Sequence, residues 1–126
     1  MRILVIDDEP NELKLADHVL SADGHIVSRL NRAESAMLSI ERDQPELILL
    51  DMSLPGMDGL ALVRLLRSNP STADLVIVAV TGYPEKYSRV LALQSGCDAY
   101  LSKPLSPRTL SQDLAQVVVG SRENKR

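Results

Sequence analysis

Five short apolar runs alternate along the chain with five longer segments in which apolar residues recur every three or four positions. The short runs are rich in leucine and β-branched residues, as strands buried on both faces are. Strands that alternate with helices form a parallel sheet with right-handed crossovers and helices on both faces. We therefore predict a doubly wound, three-layer α/β domain. The predicted strands span residues 3–6, 25–30, 47–50, 75–80 and 99–101.

Local signals predict where the intervening helices begin and end. Pro10 is favourable in a first helical turn, and Asp58 is placed to cap the third helix. Asn31 and Glu34 have the spacing of a capping box at the start of the second helix. The other predicted boundaries are helix ends at Gly24, Gly96 and Gly120, and helix starts at Pro84 and at Ser106 and Pro107.

Apolar stripes indicate which face of each predicted helix is buried. Each stripe contains leucine, valine, isoleucine, methionine or alanine at helical spacing. The residues expected to face the core are Leu13, Ala16, Val19, Leu20, Ala33, Met37, Ile40, Leu62, Leu65, Leu66, Val90, Leu91, Leu93, Leu110, Leu114, Val117 and Val118.

The composition is that of a globular protein, with 44% hydrophobic and 25% charged residues among 126. Such a chain can form a single domain, which we assign to residues 1–120, followed by a polar tail over 121–126. The net charge of -3 and the lack of a long apolar run argue against nucleic-acid and membrane partners. A single cysteine cannot form an internal disulfide, which fits a cytoplasmic location.

Polar side chains stand at the carboxyl ends of four predicted strands. Asp7 and Asp8 follow the first, Asp51 ends the third, and Thr81 and Lys103 follow the fourth and fifth. In an open α/β sheet the carboxyl edge is where ligands bind. Two carboxylates about 4 Å apart repel by about 4 kcal/mol at an effective dielectric of about 20, which a hard divalent cation relieves. Asp51 is then placed to act as a nucleophile that forms an acyl phosphate.

The sequence resembles the receiver domain of two-component response regulators over residues 2–119. The resemblance implies a flavodoxin- or CheY-like fold with strand order 2-1-3-4-5, switched by phosphorylation. Each motif alone is weak, but together they stand in the right order, each after a predicted strand. The motifs are Val5-Ile6-Asp7-Asp8-Glu9-Pro10, Asp51-Met52-Ser53-Leu54-Pro55-Gly56-Met57-Asp58-Gly59, Thr81-Gly82 and Gly96-Cys97-Asp98-Ala99-Tyr100-Leu101-Ser102-Lys103-Pro104.

The resemblance implies a role for each polar residue of the sheet edge. Asp51 accepts a phosphoryl group from a histidine of a sensor kinase or a histidine phosphotransfer protein. Asp8 and Asp51 bind Mg²⁺ (or Mn²⁺), and Asp7 helps through a water molecule. Thr81 and Lys103 hold the phosphoryl oxygens. The only reactions expected are self-phosphorylation from a donor and self-dephosphorylation, so the protein is not classed as an enzyme.

Further roles also follow from the resemblance. Ser53 lends its backbone carbonyl to the cation, and Ser53 and Tyr83 stand where the family tunes access of the hydrolytic water. Tyr100 is the aromatic residue that turns inward as Thr81 moves toward the phosphoryl group. The peptide bond that precedes Pro104 is expected to be cis.

The downstream partner is expected to be a protein that binds the face formed by the fourth helix, the fifth strand and the fifth helix. Tyr87, Arg89 and Tyr100 are the candidate contacts. The chain is either a stand-alone receiver or the N-terminal part of a longer regulator.

Two other functions compete with this interpretation. A hydrolase or mutase that uses an aspartyl phosphate usually has a second acid two residues after the nucleophile, where this chain has Ser53. A phosphorylation-independent receiver-like binding module would be expected to lack one of the five key groups, and none is missing. Nucleotide binding is disfavoured, because neither a P-loop nor a G-x-G-x-x-G motif is present.

Overall fold

The computed structural model describes residues 1–124, in which five parallel strands alternate with five helices. The sheet order is β2-β1-β3-β4-β5, as the resemblance implied. The strands are β1 (Arg2–Ile6), β2 (Ile26–Leu30), β3 (Leu47–Asp51), β4 (Val76–Thr81) and β5 (Ala99–Ser102). The helices are α1 (Pro10–Ala22), α2 (Ala36–Asp43), α3 (Gly59–Ser68), α4 (Arg89–Ser95) and α5 (Leu110–Asn124).

The sheet separates two apolar clusters, because successive side chains of a strand point to opposite faces. Leu4 and Ile48 belong to the cluster that includes residues of α2, α3 and α4. Leu49 and Val78 belong to the cluster that includes residues of α1 and α5. The predicted doubly wound, three-layer architecture is therefore confirmed. No helix among residues 1–124 is both long enough and apolar enough to cross a membrane.

An arginine ties together the elements at the amino end of the sheet. The Arg67 guanidinium donates hydrogen bonds to the carbonyls of Ala73 and Leu75 at 2.8 and 2.6 Å. It also contacts the Asp98 carboxylate at 2.8 Å. The same carboxylate oxygen accepts the N–H of Ile77 at 2.8 Å. One side chain of α3 thus fixes the starts of β4 and β5.

The predicted capping box at the start of α2 is wrong. The helix begins at Ala36, and Glu34 accepts a hydrogen bond from the N–H of Met57 at 3.0 Å. The Glu34 carboxylate therefore supports the loop between β3 and α3 and does not cap its own helix. By contrast, Asp58 caps α3 as predicted, since its carboxylate accepts the N–H of Ala61 at 2.8 Å.

Helix α4 begins later than predicted. Pro84 lies in a turn in which the N–H of Tyr87 donates to the carbonyl of Tyr83 at 2.9 Å. Ser88 caps the helix, because its hydroxyl accepts the N–H of Leu91 at 3.1 Å.

Both predicted ends of α5 are also displaced. Ser106 precedes a turn that contains Pro107, and the regular helix starts at Leu110. Gly120 does not end the helix, which continues to Asn124. The buried Ser121 gives the last turns a polar contact, since its hydroxyl donates to Asp98 at 3.3 Å.

Three residues assigned to buried helix faces are exposed. Leu65, Val90 and Leu93 are 43%, 63% and 42% exposed. In α3 the neighbouring Leu66 is fully buried, and Leu65 lies at the flank of the buried stripe. In α4 the small Ala92 provides the buried contact, because the late start of the helix leaves only seven residues to pack.

Candidate functional site

A cleft of about 440 Å³ lies at the carboxyl edge of the sheet. The strand order brings the ends of β1, β3, β4 and β5 to this edge, with β1 next to β3 and β4 next to β5. The chain leaves each of these strands through a loop that carries a polar residue. The cleft is lined by Asp8, Glu9, Glu12, Asp51, Ser53, Gly82, Tyr83 and Lys103.

Lys103 bridges the carboxylates of the cleft. Its ammonium lies 3.0 Å from Asp7 and 3.1 Å from Asp51, and it also contacts Glu12. Burial alone would lower the pKa of Lys103, but its hydrogen bonds to Glu12 and Asp7 and the charge of Asp51 raise that pKa above its ordinary value. The lysine is therefore held as a cation among acids, and the Lys103–Pro104 peptide bond that follows it is cis.

Asp51 is buried at the end of β3, with 4% of its surface exposed. Burial raises the pKa of its carboxyl to about 6, and the nearby charge of Asp7 acts in the same direction. The N–H of Ser53 opposes this shift by donating to one carboxylate oxygen at 2.9 Å, while Lys103 holds the other oxygen. The Asp51 carboxylate is thus held at both oxygens, one by the loop after β3 and the other by Lys103.

Asp7, Asp8 and Asp51 each present a carboxylate oxygen, and these oxygens lie within 4.8 Å of one another. Asp7 is fixed by the N–H of Glu9 at 2.9 Å, whereas Asp8 is exposed. Hard cations such as Mg²⁺ take oxygen ligands, commonly one or two carboxylates together with water and phosphate oxygens. The donor set therefore fits a divalent cation.

Thr81 and Tyr100 are not part of the cleft lining. Thr81 is fully buried, and its hydroxyl accepts the N–H of Tyr83 at 2.9 Å. The Tyr100 ring is buried, and its hydroxyl donates to the carbonyl of Tyr87 at 2.9 Å. The Arg89 guanidinium lies 5.3 Å from the centre of the Tyr100 ring. Both predicted switch residues thus lie inside the domain, next to the segment between β4 and α4.

Two residues that support the site were not assigned a role from the sequence. A Cβ on Gly59 would lie 2.6 Å from the Cα of Met52 and 2.9 Å from the carbonyl oxygen of Asp51. Glycine at this position lets α3 begin directly against the strand end that carries Asp51. Glu12 contacts Lys103 from the first turns of α1. Its place in the first turn of α1, directly after the loop that carries Asp7 and Asp8, was the available signal, since it puts Glu12 near the same edge.

The family model described as the response regulator receiver domain matches residues 3–115. An uncharacterized 14.6 kDa protein of Leptolyngbya boryana is 37% identical over 110 residues, which cover 87% of this chain and 84% of that protein. Response regulator PleD of Caulobacter vibrioides is 36% identical over 104 residues, 82% of this chain. The match covers 23% of PleD, so this chain corresponds to a fraction of that regulator.

Solved structures agree in fold. A CheY-like response regulator receiver domain protein from Methanospirillum hungatei superposes with a TM-score of 0.86 at 28% identity, covering 98% of this chain and 97% of that one. The sheet order and the acidic cleft define a CheY-like signalling domain. The chain belongs to the response regulator receiver domain family of two-component systems. Members of this family are signalling modules, they bind Mg²⁺ at an acidic pocket, and response regulators receive phosphate from histidine kinases.

Proposed function

We propose that Asp51 accepts a phosphoryl group from the phosphohistidine of a sensor kinase or a histidine phosphotransfer protein. The observation that carries the proposal is the buried Asp51 carboxylate, which lies 3.1 Å from the Lys103 ammonium and beside Asp7 and Asp8. A carboxylate oxygen of Asp51 forms a bond to phosphorus as the bond from phosphorus to the histidine nitrogen breaks. The electron pair of the broken bond returns to the imidazole.

Asp7, Asp8 and Asp51, together with the backbone carbonyl of Ser53, would hold Mg²⁺ or Mn²⁺. Their fit rests on the three clustered carboxylate oxygens. When bound, the cation offsets the negative charge of the carboxylates and of the phosphoryl oxygens. The protein's own part is to hold Asp51 ionised and oriented, which the Ser53 N–H and Lys103 do.

Lys103 and Thr81 would bind the phosphoryl oxygens once Asp51 is modified. The Thr81 hydroxyl already accepts the N–H of Tyr83, so its own proton remains available to donate. Tyr100 is turned inward and is hydrogen bonded to Tyr87, which connects β5 to the segment that follows Thr81. Phosphorylation would shift a pre-existing equilibrium between two arrangements of this region.

The face formed by α4, β5 and α5 would bind a downstream protein. Val90, Leu93 and Val119 are exposed on its helices, and exposed apolar side chains support contact with another protein. Of the three predicted contacts, Arg89 is exposed, whereas Tyr87 and Tyr100 are buried. A partner would therefore respond to Tyr87 and Tyr100 only indirectly, through the positions of α4 and β5.

A cytoplasmic location stays a prediction from composition.

The test is intact mass after incubation with acetyl phosphate, with and without Mg²⁺. We expect wild type to gain one phosphoryl group only when Mg²⁺ is present. The variant Asp51→Asn should gain none, because an amide cannot form the acyl phosphate.

A Mg²⁺-independent adduct, or an adduct on Asp51→Asn, would contradict the proposed acceptor. If no adduct formed with either acetyl phosphate or a phosphorylated histidine donor, and Mg²⁺ did not bind, the phosphorylation-independent binding module would become the better interpretation.

A further inference from the structure

The Lys103 ammonium has three carboxylate partners. Asp7 and Asp51 lie 3.0 and 3.1 Å from it, and Glu12 is in contact with it. An ammonium group has three N–H donors. The three acids can therefore engage all of them, which leaves no free donor for a phosphoryl oxygen.

The three carboxylates differ in how easily they can move away from the Lys103 ammonium. Asp7 and Asp51 are 6% and 4% exposed, and each is also fixed by a backbone N–H. The Glu12 side chain is 41% exposed and extends from the first turn of α1, although the oxygen that contacts Lys103 is itself buried. Glu12 can turn toward water by side-chain rotation alone, whereas either aspartate would lose a buried hydrogen bond.

We propose that Glu12 is the exchangeable counter-ion of Lys103, which a phosphoryl oxygen replaces when Asp51 is modified. This inference rests on the proposed function of Asp51. In the resting protein the Glu12 carboxylate occupies one donor of the ammonium, and in the modified protein it faces solvent. Glu12 thereby opposes occupation of the site and sets how tightly the phosphoryl group is held.

The probe is beryllium chloride with excess fluoride, which forms a phosphoryl-like fluoroberyllate on carboxylates. Affinity is measured at saturating Mg²⁺ from the amide resonance of Gly82, which lines the cleft. Glu12→Gln removes the competing charge and should bind about fivefold more tightly than wild type. Glu12→Asp keeps the charge but is one methylene shorter, so it should also bind more tightly than wild type.

The matched control is Glu9→Gln. Glu9 lines the same cleft but caps α1 through the N–H of Asn11 and has no contact with Lys103 among those described. Its substitution removes the same charge from the cleft and measures the general electrostatic effect alone. In metal-free protein, the Nζ resonance of Lys103 should shift in both Glu12 variants more than in Glu9→Gln.

If Glu12→Gln and Glu9→Gln bound fluoroberyllate with equally increased affinity, and their Lys103 resonances were alike, the proposed exchange of Glu12 for a phosphoryl oxygen would be overturned. The proposed function would stand. No fluoroberyllate binding by wild type would overturn the exchange, because nothing would then displace Glu12, whereas the acetyl phosphate experiment tests the proposed function separately. Asp51→Asn should bind no fluoroberyllate. Thermal unfolding of each variant establishes that a difference in affinity belongs to a folded protein.

Discussion

At the scale of single residues, folding disfavours the ionised form of the Asp51 carboxyl. Its pKa is raised to about 6 in the folded protein, chiefly by burial, from an ordinary value near 3.8. An acid with a raised folded pKa stabilises the fold fully only below its unfolded pKa. That stability is lost as the pH rises through the folded pKa.

Asp51→Asn should therefore stabilise the metal-free protein at pH 7.5, by about 1–3 kcal/mol, because the amide carries no charge to bury. The gain should shrink toward zero as the pH falls from 6 to about 4, where Asp51 itself becomes neutral. Urea unfolding in EDTA at several pH values measures it. Equal stability of the two proteins at pH 7.5 would contradict the prediction.

Tyr83 is expected to slow loss of the phosphoryl group. Its side chain lines the same cleft as Asp51 and is 56% exposed. Tyr83→Ala should shorten the phosphoryl half-life by about two- to fivefold, because water gains access. Tyr83→Phe keeps the bulk and should resemble wild type. An unchanged or longer half-life in the alanine variant would refute the role.

At the scale of elements, the start of α3 depends on a missing side chain. Gly59→Ala would place a methyl group 2.6 Å from the Cα of Met52, so either the helix or the loop after Asp51 must shift. We expect a loss of about 1–3 kcal/mol in urea unfolding and slower phosphorylation. Backbone atoms form the contact, so side-chain rotation cannot relieve it.

Gly120 supplies the matched control. It lies within α5, and a Cβ there would meet nothing within 4 Å. Gly120→Ala should stabilise the protein by about 0.5–1 kcal/mol, because alanine loses less backbone entropy in a helix. Similar effects of both substitutions would show that the close approach at Gly59 is unimportant.

The helix boundaries show what local sequence signals can predict. Asp58 was assigned correctly, because its bond to the N–H of Ala61 lies within one turn. Glu34 has the same kind of spacing, yet its carboxylate supports Met57, 23 residues further along the chain. Gly120 was wrongly taken as a helix end, because the buried contacts that continue α5 lie on other elements. Local signals fail where a distant group offers a better partner.

At the scale of the whole molecule, Arg67 holds the end of the sheet remote from the cleft. Arg67→Ala removes hydrogen bonds to three backbone carbonyls, those of Ala73, Leu75 and Gly96, and leaves the partly buried Asp98 without its cation. We expect a loss of about 2–4 kcal/mol, measured by urea unfolding. The rate of phosphorylation under native conditions should change little, because the cleft lies at the other edge.

Arg42 is the control for this substitution. It pairs with the adjacent Asp43 at the surface, and its side chain is 72% exposed. Arg42→Ala should leave the unfolding midpoint nearly unchanged, since exposed pairs contribute little. If both arginine variants unfolded at the same urea concentration, the bonds of Arg67 would not matter for stability.

The layered architecture could be predicted because alternation of strands and helices leaves few arrangements. The rule that parallel strands end at one edge also brought together Asp7, Asp51 and Lys103, as the ion pairs show. Sheet order came only from the family resemblance, since periodicity carries no information on which strands are neighbours. The role of Glu12 was not predicted, because its contact with Lys103 depends on the conformation of a long lysine side chain.

The buried contact between Tyr100 and Tyr87 has a practical consequence for spectroscopy. The chain has no tryptophan and three tyrosines, and all three lie in the stretch from the end of β4 through β5. Intrinsic ultraviolet emission thus originates entirely from this region, with one exposed fluorophore and two interior ones. A change in emission would report the region beside the cleft and α4, without an added dye. Tyrosine emission of the native protein therefore reports on the region in which a conformational response is expected.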